Sequence, residues 1–169
     1  MNKNYKSIII VGVLLILLFT LGVSAEKTYT GNGDDVIEIE NPGTKSYFLM
    51  KAIGNTQERH FAITGYDSNN NRINNFVNAI SSYEGLKLIP ANTKILEINA
   101  VGEWKISIKQ LDQIKVIETP GEISGKGDFV FKIRGNPLKA VITGNKQKRH
   151  FAVIVYDHDL NRLKTVVNA

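Results

Sequence analysis

Gly54-Asn55-Thr56-Gln57-Glu58-Arg59-His60-Phe61-Ala62 is answered ninety positions later by Gly144-Asn145-Lys146-Gln147-Lys148-Arg149-His150-Phe151-Ala152. The echo runs through Tyr66-Asp67 and Tyr156-Asp157, then Asn71-Arg72 and Asn161-Arg162. It closes with Val77-Asn78-Ala79 and Val167-Asn168-Ala169. Fourteen of the 26 paired positions are identical. One structural unit is therefore written twice, and a fixed-period repeat sets the architecture before any local reading.

Outward from this stretch the chain reads as strands and turns. Phe61 and Ile63 (Phe151, Val153 and Val155 in the second copy) point one way, and His60, Ala62, Thr64 and Tyr66 the other. Both faces are apolar or small, which marks a central strand. Asp67 to Asn71 makes a turn and Ile73 to Val77 a returning strand. Upstream, Gly31-Asn32-Gly33-Asp34-Asp35 is a turn whose glycines permit φ > 0. Ile37 and Ile39 then alternate with Glu38 and Glu40, the mark of a half-buried strand. The second copy repeats this as Gly125-Lys126-Gly127-Asp128, with Phe131 and Ile133 alternating with Lys132 and Arg134. Tyr47–Ile53 and its counterpart Pro137–Thr143 read as a further strand in each copy.

The first copy continues alone. Tyr83-Glu84-Gly85 reads as a turn into Leu86-Lys87-Leu88, Thr93 to Ile98 as a strand, and Trp104, Ile106 and Ile108 as the inward side of a period-two strand. Short strands separated by Gly/Asn/Asp turns predict an all-β chain, an antiparallel β-sandwich of jelly-roll-like kind. The expected organisation is a complete module over 28–111 with seven or eight strands, a linker over 112–119, and a truncated second module over 120–169. The second module lacks counterparts of the Tyr83, Thr93 and Trp104 segments. Some 45 residues cannot readily bury a sandwich core alone, and open strand edges invite pairing. Three fates of the second copy follow: packing on the first module, acting as a strand-accepting assembly element for another chain, as in a homodimer, or remaining a shortened, poorly ordered half.

Residues 1–25 place Lys3 and Lys6 ahead of an unbroken apolar run from Ile8 to Val23, followed by Ser24 and Ala25. Basic, apolar, small-residue order is a secretory signal. The expected element is a hydrophobic helix, cleaved after Ala25 or retained as an anchor through residues 8–23. Either way the rest of the chain is expected outside the cytoplasmic membrane, secreted or anchored to its outer face. The sequence has no cysteine, which removes disulfides and thiolate chemistry. After Ala25 there are 19 basic and 16 acidic residues, spread along the strands. Nucleic-acid binders show a denser basic stripe, so no nucleic-acid partner is expected.

The metal candidates are the turns after the repeated strand. Asp67, Asn69 and Asn71, and likewise Asp157, Asp159 and Asn161, set oxygen-bearing side chains at alternate positions, as a calcium loop does. Arg72 and Arg162 stand where that loop uses glycine, and no glutamate occupies its twelfth position. The same residue types also build plain turns through side-chain-to-backbone bonds. Arg59-His60 and Arg149-His150 recur together without a recurring Cys, His or Ser partner, which suggests a structural hydrogen-bonding role at the strand start or a shared binding role. Adjacent Asp34 and Asp35 face opposite ways on a strand, poor geometry for paired-carboxylate catalysis. No catalytic activity is expected.

Gly-x-Gly-Asp-Asp-Val-Ile (31–37), His-Phe-Ala-Ile (60–63), Val-Asn-Ala (77–79), Tyr-x-Gly (83–85) and Ile-Asn-Ala-Val-Gly-Glu-Trp-Lys-Ile (98–106) occur in order. This ordered set resembles tandem β-rich modules without assigned activity in exported bacterial and archaeal surface proteins. The resemblance covers 28–111 fully and 120–169 in its first half. It implies an extracytoplasmic β-sandwich with no catalytic residues to carry over. The expected role is a non-catalytic binding or interaction module at the cell surface, its partner a surface protein or glycan. A calcium- or glycan-binding domain is the alternative.

Overall fold

A computed structural model describes residues 26–40, 46–144 and 150–169. The expected N-terminal helix, its cleavage site and Arg149 lie outside the described residues. Eight strands occupy the first module: β1 (Lys27–Asn32), β2 (Asp35–Glu38), β3 (Tyr47–Gly54), β4 (Phe61–Tyr66), β5 (Arg72–Ala79), β6 (Tyr83–Pro90), β7 (Ile95–Ala100) and β8 (Glu103–Gln110). They form two four-stranded antiparallel sheets, ordered β1-β8-β3-β6 and β2-β7-β4-β5. The chain is all-β apart from one short 3-10 turn at Leu111–Gln113 among the described residues.

One core takes side chains from both sheets. Phe48, Met50 and Ala52 of β3, Ile89 of β6, and Trp104, Ile106 and Ile108 of β8 come from the first sheet. Phe61 and Ile63 of β4, Phe76 and Val77 of β5, and Leu96, Ile98 and Ala100 of β7 come from the second. The period-two spacing on β7 and β8 puts every other side chain into this core, as the pleat requires. β4 lies between β5 and β7, and its burial on both faces matches the central strand expected of it. Tyr83-Glu84-Gly85, expected as a turn, is instead the start of β6, paired in register with Gly54, Ile53 and Ala52 of β3 respectively. Gly85 is needed there for space: a Cβ would come within 2.5 Å of the Tyr83 hydroxyl.

The repeated Gly and Phe pack on each other in both copies. A Cβ on Gly54 would meet the Phe61 ring at 2.8 Å, and one on Gly144 would meet the Phe151 ring at 2.6 Å. The same Gly–Phe contact therefore occurs twice.

The second copy contains fewer ladders. β11 (Ala152–Tyr156) and β12 (Arg162–Asn168) form an antiparallel hairpin. Its register shifts fall at Val153/Ile154 and Val155/Tyr156, the positions equivalent to those of the β4–β5 hairpin at Ile63/Thr64 and Gly65/Tyr66. β10 (Phe131–Arg134) pairs in parallel with β9 (Lys115–Glu118), a strand within the segment read as a linker. This pair departs from the otherwise antiparallel pattern. Pro137–Thr143, expected as a strand, forms none, and Leu138 and Val141 are exposed at 101% and 78%. The reason is visible in the first copy, where the corresponding β3 lies between β6 and β8. Neither flanking strand has a counterpart among the described residues of the second copy, so the backbone groups of 137–143 have no ladder to join.

Candidate functional site

The loop between β3 and β4 carries Arg59 and His60, and both are exposed. The bonds that fix this loop come from Asn55, which is 1% exposed. Asn55 lies at φ 60°, a left-handed conformation that asparagine tolerates better than most residues. Its Oδ1 accepts from the Arg59 N–H at 2.7 Å, and its Nδ2 donates to the carbonyls of Ser81 at 2.9 Å and Ala79 at 3.3 Å. The His60 carbonyl accepts from the Val101 N–H at 3.3 Å. Recurrence singles out Arg59 and His60 in the sequence, whereas it is Asn55 that ties the loop to the end of β5. Its repetition as Asn145 was the available signal; Asn145 lies outside the described residues. His150 is exposed like His60.

The turns after β4 and β11 share one geometry. Asp67 Oδ1 accepts from the backbone N–H of Asn69 at 2.8 Å and of Asn71 at 2.9 Å, and Oδ2 accepts from Asn71 Nδ2 at 3.1 Å. Asp157 accepts from Asn161 N–H at 2.8 Å and from Asn161 Nδ2 at 3.0 Å. The Asn71 and Asn161 side chains, with the backbone N–H donors, hold the two carboxyls below the ordinary aspartate pKa. Asp67-Asn69-Asn71 and Asp157-Asp159-Asn161 are thus brought together by turn bonds. Asn69 contributes its backbone N–H to this set, and Asp159 Oδ1 lies 3.4 Å from His158 Nδ1. No cluster of three or more His, Asp or Glu able to hold a metal occurs among the described residues.

The two Gly-x-Gly-Asp turns fold onto different neighbours. In the first copy Asp34 Oδ1 accepts from the N–H of Ala100, the last residue of β7, at 2.9 Å. Gly33, at φ 79°, donates to the Gly102 carbonyl at 3.0 Å and accepts from Trp104 Nε1 at 3.0 Å. In the second copy Asp128 is held by β6 of the first. Its Oδ2 accepts from the Tyr83 hydroxyl at 2.7 Å and lies 2.8 Å from Lys87 Nζ, and its carbonyl accepts from the Leu86 N–H at 2.8 Å. Gly127, at φ 74°, packs so closely that a Cβ would lie 2.3 Å from the Glu84 carbonyl oxygen. Burial first, and the Asp128 carboxylate second, push the Tyr83 pKa up, so the phenol remains a hydrogen-bond donor. Sequence reading paired Asp34 with Asp128 as turn residues and missed this joint, because the three partners on β6 lie more than forty positions away.

The second copy also presents apolar surface. Phe129, Phe131, Ile133, Leu138, Val141, Ile142, Ile154, Val155, Leu163 and Val166 are all exposed. Phe129 and Phe131 stack loosely with ring centroids 6.1 Å apart. A depression of about 350 Å³ at the β2–β7 edge is lined by Asp34, Asp35, Val36, Glu97, Ile98 and Asn99, and brings neither Arg59 nor His60 to those carboxylates. The chain matches no protein-family model, no curated protein and no solved structure.

Proposed function

We propose that this is a non-catalytic, exported cell-surface protein that works by protein–protein interaction, with the second copy as its working surface. The first module is then a jelly-roll sandwich, a reading supported by the strand orders β1-β8-β3-β6 and β2-β7-β4-β5 around a shared core. Export rests on the Lys3–Ala25 pattern.

The observation that carries the reading is an internal contrast. The repeat buries Ile63 to 0% and Val77 to 2% in the first copy. Val153 and Val167, at the same places in the second, are only half-buried, and their neighbours Ile154 and Val166 are exposed. Large apolar side chains left exposed in this number on one segment support an interaction site, and a strand edge adds backbone donors and acceptors.

Sedimentation of the full chain beside a shortened chain ending at Gln110 tests this. Self-association or capture of a hydrophobic dye by the long form alone is the expected result. Two monomers of equal, negligible dye binding would overturn it.

A further inference from the structure

We infer that the Gly125–Asp128 turn of the second copy is a strap on the first module: docked on β6, it holds the strained Asn55–His60 loop, and its release loosens that loop and the Arg59–His60 pair it carries. The inference goes beyond the interaction reading above, since it concerns contacts within one chain. Three features support it.

The loop stores strain. Besides Asn55 at φ 60°, Glu58 lies at φ 53°. Left-handed backbone is unfavourable for a glutamate, and such a residue persists where its surroundings impose the conformation. Two bonds in the loop impose it, and both run to Asn55. The Glu58 N–H donates to the Asn55 carbonyl at 2.9 Å, and the Arg59 N–H donates to Asn55 Oδ1 at 2.7 Å.

The loop and the strap share one support, the short stretch Ala79–Tyr83. Asn55 Nδ2 donates to the Ser81 carbonyl at 2.9 Å and the Ala79 carbonyl at 3.3 Å. Just beyond Ser81, the Tyr83 hydroxyl donates to Asp128 Oδ2 at 2.7 Å. A second route runs through the core. The Tyr83 and Phe61 rings lie 6.1 Å apart, and Phe61 fills the space that a Cβ on Gly54 would need. Gly54 leads into the loop and pairs with Tyr83, while Phe61 follows it. A shift of Tyr83 is therefore felt at both ends of the loop by direct contact, the physical basis of coupling between sites.

The strap is shaped for close docking. Gly127 takes φ 74°, and a Cβ there would lie 2.3 Å from the Glu84 carbonyl oxygen. A Cβ on Gly85 would come within 3.0 Å of the Asp128 Cβ. The Asp128 carbonyl accepts from the Leu86 N–H at 2.8 Å, and its Oδ2 lies 2.8 Å from Lys87 Nζ.

Hydrogen exchange of the full chain tests this, with Gly127→Val to lift the strap without altering any residue of the first module. The Leu86 amide reports docking, and the Arg59 and Val101 amides report the loop. The Asn71 amide, bonded to Asp67 beyond the far end of β4, is the control. Exchange should speed up at least tenfold at Leu86, Arg59 and Val101 and stay unchanged at Asn71. Tyr83→Phe, which keeps the ring beside Phe61 and removes only the hydroxyl, should speed Leu86 and Arg59 severalfold. Leu86 freed while Arg59 stays protected overturns the coupling. Leu86 equally protected in both variants means that these contacts do not hold the turn, which overturns the strap. Equal acceleration at all four amides is a general loss of stability and overturns the inference as well.

Discussion

Leu160 shows what the repeat tolerates at the level of one residue. It occupies the turn position of Asn70, and both have left-handed backbones, at φ 64° and 60°. Asparagine visits this region at little cost, whereas leucine pays roughly 1–2 kcal/mol there. Leu160→Asn should therefore slow amide exchange in Ala152–Tyr156 by about fivefold to thirtyfold, read by hydrogen-exchange NMR. The neighbouring aspartates give a pH signature. Asp67 and Asp157 have folded-state pKa values lowered from the ordinary 3.8, chiefly by the asparagine side chains that donate to them. Their contribution is present above the unfolded value and lost as pH falls through the lower folded values. Both hairpins should loosen below about pH 4, and replacing Asp67 and Asp157 with Asn should remove that acid dependence at the turns. Calcium added at neutral pH should leave the melting temperature unchanged, since the same oxygens already serve the turns. A rise with calcium would support the metal reading instead.

At the scale of the element, the two copies of one strand ought to differ in what they contribute. Phe61 is fully buried between sheets, while Phe151 is only half-buried. Phe61→Ala should cost about 3–5 kcal/mol. Phe151→Ala should cost about 1 kcal/mol or less, and equal losses in denaturant titrations would mean that the second copy has a core of its own. The same contrast explains how much of the fold was legible. The strands β4 and β5 could be read because alternation, turn residues and the repeat agreed on them, and β3, β7 and β8 because their own apolar patterns sufficed. β6 was misplaced at its start because Tyr-x-Gly resembles a turn, and only its ladder with β3 reveals that the glycine makes room for a side chain. Pro137–Thr143 has the residues of a strand, but a strand needs neighbours, and pairing is not written in its own segment. Arg59 and His60 were noticed as recurring charges; Asn55 and the Asp128–Tyr83 joint stayed hidden because their partners are distant in sequence.

For the whole molecule, the consequence of writing one hairpin twice is kinetic. β7 is complementary to β4, and β11 repeats the β4 pattern from Phe to Tyr-Asp. A chain that emerges N-terminus first during synthesis offers β7 only the β4–β5 hairpin at first, so the correct mate is in place before its rival emerges. Dilution from denaturant presents both hairpins at once, and a fraction of molecules should close β7 onto the wrong one. Refolding of the full chain should then show a slow phase that reflects exchange of mates and is missing from the chain ending at Gln110. Order of emergence, on this account, is the proofreading step for a sequence that carries its own decoy.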